Sequence, residues 1–201
     1  MINIKTLILA LIILFNNNSF AGMVDIILNQ RKNITPAIKL KVDARPKKFN
    51  SNNNLRRKTG SPFVAKGLGL IVEGFVTDLT NKPIKDVIVN IWHADYYGSY
   101  KDFFVDKKRI DVDFVGHGTS ITNEDGYYNF LTIMPGRFGR TPHIHFILTY
   151  KGNIALETQM FFPDHPENKT DKIFKTLAYK EARALQCAIA HDVPEAALSD
   201  L

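Results

Sequence analysis

From residue 67 onward the chain is a series of short runs in which apolar and polar positions alternate, punctuated by turn residues. In "DVIVNIWHAD" Val87, Val89 and Ile91 share one parity, against Ile88, Asn90 and Trp92 on the other. A period of two places the two sets on opposite faces of a β-strand. "LGLIVEGFVTD" reads as an earlier strand and "LTNKP" as the turn after it. "NEDGYYNFLTIMPG" enters a third strand through Asp125-Gly126 and is broken by Pro135-Gly136. "PHIHFILTYKG" and "IALETQMFF" follow as a hairpin around Lys151-Gly152-Asn153. Five strands at this spacing predict an all-β fold, an antiparallel sandwich of immunoglobulin or prealbumin type. Residues 171–191 form the one segment with helical character, giving a short C-terminal helix. No internal repeat is present.

The two ends of the pattern differ from its middle. The opening "MINIKTLILALIILFNNNSFAG" has a lysine, an apolar run over residues 7–15 and a polar stretch. Ser19-Phe20-Ala21 offers small residues at the two positions a signal peptidase reads. The run is short for a bilayer span, so residues 1–21 are expected to be a signal peptide, with export to the periplasm or beyond. Residues 31–68 hold eleven Lys/Arg and one acid, within a chain of 201 residues and net charge +6. Residues 22–66 therefore read as a flexible, disordered basic arm preceding a folded domain at 67–201. A basic run suits an anionic membrane surface, while the export signal argues against nucleic acid as a partner. The single cysteine, Cys187, excludes an internal disulfide and reads as a small buried apolar residue.

Chemistry enters at "GRTPHIHF", residues 139–146. His143, His145, Ile147 and Thr149 share one parity, and Ile144, Phe146, Leu148 and Tyr150 share the other, which reads as the core face. The two imidazoles then lie together on the opposite face. Residues two apart on a strand are about 6–7 Å apart, and metal–imidazole bonds are about 2.0–2.1 Å, so both rings can reach one ion. Alone, His-x-His is more often a solvated polar pair than a metal site. Trp92 reads as core, His93 and His165 as facing solvent, and His117 as a loop residue.

Taken jointly, separated motifs of this chain resemble the intradiol ring-cleavage dioxygenases of protocatechuate and catechol type, in an exported form. The resemblance runs from about residue 69 to 163. It is carried by "VEGFVTDLTNKPIKDVIVNIWHAD", by "YYGSY", by "DGYYNFLTIMPGRF", by "GRTPHIHF" and by "ETQMFFPDHP", in the family's order. It implies a ferric iron, Fe(3+), bound by Tyr100, His143 and His145. Arg140 would stand beside a small aromatic, catechol-type substrate and stabilise negative charge as O2 attacks. Gln159 would orient Arg140 or a bound water. The ligand types suit the metal, because a hard ferric ion prefers anionic oxygen with imidazole nitrogen. Bound metal displaces the phenol proton, whose free pKa is about 10.

One position departs from the family. Its second tyrosine ligand follows the Pro-Gly turn, where this chain has Phe138. Unless Tyr96, Tyr97 or Tyr128 takes its place, one phenolate is lost. Three readings follow: ring cleavage at a site of two histidines and one tyrosine, an exported sandwich that binds metal or catechols without cleaving them, or a zinc site of hydrolytic type. The loop at about residues 101–113 carries no readable specificity for the ring, and the oligomeric state is equally unread.

Overall fold

Alternation of the kind seen above forms sheets only when both apolar faces find a partner, and here they face each other. The structure is a computed structural model that describes residues 6–11, 34–38, 45–101 and 109–187. Seven strands occur among these residues: β1 (Thr6–Leu11), β2 (Gly69–Thr77), β3 (Ile88–Trp92), β4 (His117–Ile121), β5 (Tyr127–Ile133), β6 (His143–Tyr150) and β7 (Asn153–Phe161). They form two sheets, β1-β2-β5 and β4-β3-β6-β7, in which neighbouring strands run antiparallel. The expected sandwich is what the chain forms. The five strands read from the pattern are β2, β3, β5, β6 and β7.

The core lies between the sheets. Val72 and Val76 from β2, Tyr128 and Phe130 from β5, Val89 and Ile91 from β3, and Ile144, Phe146 and Leu148 from β6 belong to one buried cluster. A smaller cluster of Trp92, Ala94, Tyr100 and Ile147, flanked by Phe49 and Phe138, covers the far face of the four-stranded sheet. That second cluster contains Tyr100, one of the candidate site residues.

Two strands escaped the sequence pattern. In β4, "HGTSI" is mostly polar and carries a glycine, so it lacks the apolar alternation that marks a strand; β3 supplies its backbone partners. In β1, Thr6–Leu11 pairs along β2 from within the apolar opening run. The junction before Gly22 lies outside the described residues.

Residues 45–66, expected to belong to the basic arm, pack onto the domain. Leu55 is fully buried, its N–H donates to Leu131 O at 2.7 Å, and its carbonyl accepts from Val115 N at 2.9 Å. Leu131 N–H donates to Asn53 O, so this segment runs beside β5 as a short parallel bridge. Gly118 makes room for it: a side chain there would meet Asn52 O at 2.5 Å and Leu55 at 2.6 Å. The run of Asn and Lys hid a segment whose contribution is mainly backbone hydrogen bonds and one buried leucine. At the other end, the expected helix narrows to α1 (Tyr179–Ala184), preceded by 3-10 turns at Pro166–Thr170 and Phe174–Thr176. The remainder of the expected helix beyond residue 187 lies outside the described residues.

Candidate metal centre

Cross-strand register builds the site as a row. Trp92 of β3 pairs with His145 of β6, which pairs with Gln159 of β7, and Trp92 pairs on its other side with His117 of β4. His143 follows the parity of His145 and stands opposite Phe161. Both histidines are 95% buried, so this face of the sheet is not a solvated one.

Tyr100 reaches the pair from the loop after β3. Gly98 has a φ of +82° and packs so close that a Cβ would stand 1.9 Å from Arg137 O, which only glycine tolerates. Asp95 shapes the same loop. Its Oδ1 accepts from Tyr97 N and Ser99 N, its Oδ2 accepts from Asp111 N, and its carbonyl accepts from Gly136 N. The Tyr100 loop and the Pro-Gly turn carrying Phe138 are thus tied together through one buried aspartate.

Three polar atoms converge. Tyr100 Oη lies 3.1 Å from His145 Nε2 and 3.4 Å from His143 Nε2, and the two Nε2 atoms are 3.1 Å apart. Ligand bonds of about 2.0–2.1 Å at angles between square and tetrahedral set neighbouring donors about 2.9–3.4 Å apart, so this triangle fits a single ion. The tautomers fit as well. His143 Nδ1 donates to Thr141 O at 2.7 Å, because a carbonyl only accepts, and this leaves the Nε2 lone pair for a metal. His145 lies flat on Trp92, with centroids 4.5 Å apart and planes 9° from parallel; its Nδ1 has no partner among the described residues. On the Nδ1 side, stacking and not a hydrogen bond holds that ring.

Burial keeps all three groups uncharged in the absence of a metal. It lowers His143 to about 4, assisted by the Arg140 charge, and holds His145 well below the ordinary imidazole range, with His143 and Arg140 acting in the same direction. Burial pushes the Tyr100 phenol above its usual range, against the pull of Arg140. Neutral imidazoles are the form a metal needs, and a buried phenol is the proton a ferric ion would displace. The converging donors are one phenol oxygen and two imidazole nitrogens.

Arg140 and Gln159 stand at the edge of the triangle. Arg140 Nη2 donates to Gln159 Oε1 at 3.0 Å, and Nη1 lies 3.5 Å from His143 Nε2. Arg140 also makes a two-pronged ion pair with Asp171, Nε to Oδ2 and Nη2 to Oδ1, both at 2.9 Å. Burial raises the Asp171 carboxyl, but Arg140 and the backbone N–H groups of Ile173 and Phe174 outweigh it and hold the group below the usual carboxylate range. Asp171 was invisible in the sequence, since nothing in "TDKIF" marks it and its partner is 31 residues away.

Phe138 packs edge-on against Tyr100, with centroids 5.5 Å apart, in the place expected from the sequence. No other tyrosine replaces the missing one. Tyr128 lies in the inter-sheet core against Phe146, on the opposite face of β6 from the histidines. Tyr96 and Tyr97 are exposed, and Tyr97 accepts from Lys66 Nζ. All seven tyrosines are among the described residues, and only Tyr100 bonds to His143 or His145. His93 corrects an expectation: it is fully buried, not solvent-facing. It continues the Val89, Ile91 parity into the core, donates from Nδ1 to Ala94 O and accepts at Nε2 from the Thr132 hydroxyl. His165 is half-buried beside Thr141 Oγ1, and His117 lies on β4 rather than on a loop, its Nδ1 accepting from Asn50 N.

Residues 45–199 match a family model described as Dioxygenase. The chain is 38% identical over 130 residues to the protocatechuate 3,4-dioxygenase beta chain of Burkholderia cepacia, covering 59% of this chain and 53% of that one. It thus spans about half the length of that relative. Among solved structures, the dioxygenase domain of a dioxygenase carbohydrate-binding protein fusion from Streptomyces sp. SirexAA-E superposes with a TM-score of 0.56 at 30% identity, over 70% of this chain and 82% of that one. An intradiol ring-cleavage dioxygenase from Tetranychus urticae gives 0.60 at 26% identity, over 77% and 84%.

Proposed function

Given that the chain belongs to the intradiol ring-cleavage dioxygenase family, we propose that it cleaves the ring of a catechol-type substrate between its two hydroxyls, using O2 and a ferric iron held by Tyr100, His143 and His145. The observation that carries this reading is the triangle of one phenol oxygen and two imidazole nitrogens at 3.1–3.4 Å. When bound, ferric iron would supply a Lewis-acidic centre to which both catechol oxygens can attach as anions.

The chain's own residues do the rest. Tyr100 gives up its proton and holds negative charge inside a buried site. Thr141 O and the Trp92 ring hold the two imidazoles in orientation. Arg140 Nη1 faces the same space and stabilises negative charge that builds on the substrate as oxygen attacks. Gln159 Oε1 holds Nη2, and its Nε2, buried without a partner among the described residues, is a further donor next to His145. Phe49, Trp92, Ile147 and Phe138 exclude water around Tyr100. With Phe138 in place of a second tyrosine, the site has no second phenol oxygen to take a substrate proton, and both catechol protons leave to solvent.

Metal analysis of protein reconstituted with iron tests this reading. One iron per chain is expected in the wild type, and His143→Ala or His145→Ala should lower affinity by orders of magnitude. Stoichiometric zinc, or full iron in both variants, would overturn it. Export is proposed on the apolar run and the Ser19-Phe20-Ala21 site, and cleavage there would remove β1 and leave β2 at the edge of its sheet; mass analysis of the native N-terminus finding Met1 retained would overturn that.

A further inference from the structure

We propose that Asp171 is a positioning residue of this site: by gripping Arg140 it leaves a single guanidinium nitrogen, Nη1, to act on the substrate, and so joins the C-terminal segment to the chemistry. The catalytic part of this inference rests on the ring-cleavage reading; the grip itself does not.

Five N–H bonds radiate from an arginine side chain. In Arg140 the Nε–H goes to Asp171 Oδ2, and the two on Nη2 go to Asp171 Oδ1 and Gln159 Oε1. Only the Nη1 pair is left, and Nη1 is the nitrogen nearest His143 Nε2. The guanidinium also lies over the Phe161 ring at 6.0 Å, which backs its plane. A planar fork held at two nitrogens and backed by a ring cannot rotate, so its remaining donors are fixed in direction.

The Asp171 carboxylate is as firmly held as the arginine. Its side chain is fully buried, and Oδ1 accepts from Ile173 N and Phe174 N as well, both at 2.9 Å. Those bonds set the 3-10 turn that follows, whose Phe174 packs edge-on against Phe161 at 5.1 Å. Beyond it, the C-terminal segment returns to the end of β7, with Phe161 N donating to Leu185 O and Cys187 N donating to Phe161 O. One carboxylate therefore closes the C-terminal turn and aims Arg140. A surface ion pair would do neither, because it would be screened and free to rearrange.

The two roles separate in a double-mutant cycle of Asp171→Asn and Arg140→Gln. Three quantities are read: the melting temperature of the metal-free protein, the affinity of the iron-loaded protein for catechol without O2, and kcat with O2. Loss of the turn lowers the melting temperature in either background. Loss of aim acts only through Arg140. Asp171→Asn should thus weaken catechol affinity or kcat tenfold or more in the Arg140 background, and change neither in the Arg140→Gln background. Equal losses in both backgrounds would overturn the positioning role.

Proton exchange at Arg140 Nε–H, read by NMR in the metal-free protein, tests the grip without any catalysis. It should be far slower than at the exposed Arg57, and should speed up in Asp171→Asn; equal exchange at the two arginines would overturn the grip. If wild type binds no catechol, the ring-cleavage reading fails while this exchange still decides the grip. Should Asp171→Asn not fold, Asp171→Glu keeps the charge but moves it by one methylene. It should retain slow exchange while lowering kcat, and unchanged kcat would again contradict the proposal.

Discussion

Phe138 decides how many anionic oxygens the site can offer. Its ring packs against the ring of Tyr100, and no second phenol bonds to either histidine among the described residues. An iron with one phenolate should be easier to reduce and paler than one with two. Phe138→Tyr should therefore deepen the visible absorption of the iron-loaded protein and stabilise its ferric state. An unchanged spectrum alongside a wild type that already shows a strong two-phenolate band would mean that another tyrosine moves in. At this scale the sequence was informative about the polar atoms that converge and silent about those that support them. Parity put His143 and His145 on one face, and motif order singled out Tyr100, Arg140 and Gln159. Asp171 and Asp95 stayed hidden, because each acts through backbone N–H groups or a distant arginine, and such bonds leave no periodic trace. His93 continues the Val89, Ile91 alternation into the core, a trace that its polarity masks.

At the scale of elements, the site depends on two loops meeting at the ends of β3 and β5. Gly98 and Gly136 let them touch: a Cβ on Gly98 would stand 1.9 Å from Arg137 O, and one on Gly136 would stand 2.4 Å from Gly98 N and from Tyr96 O. Gly98→Ala should therefore lower stability by about 1–3 kcal/mol, from strain at positive φ together with the clash. It should also weaken iron binding, because Tyr100 is two residues away. Urea denaturation and metal titration would check both effects; a variant equal to wild type in each would show that the loops yield without moving Tyr100. The strands with clean apolar alternation were legible in the sequence. The polar β4 and the packed segment at residues 45–66 were not, since their contribution comes from backbone pairing and from one leucine, Leu55.

For the whole molecule, burial of neutral histidine makes stability depend on pH. His93 is fully buried with both ring nitrogens bonded, and burial lowers it to about 4 from an ordinary 6.5. Between those values the unfolded chain binds a proton that the folded chain refuses, so stability falls as pH falls from 6.5 toward 4. The gap corresponds to on the order of 3 kcal/mol for this one residue. The urea midpoint of the metal-free protein should drop between pH 7.5 and pH 4.5, and His93→Gln should reduce that drop. An identical pH dependence in the variant would show that His93 is not the group responsible.

The central claim is that a site of one phenolate and two imidazoles still opens a catechol ring, and the mass of the product formed under isotopically labelled O2 tests it most directly. A ring-opened dicarboxylic acid that carries both labelled oxygen atoms, formed with one O2 consumed per catechol, is the expected product. Catechol bound at the iron and recovered unchanged, with no O2 consumed, would contradict it.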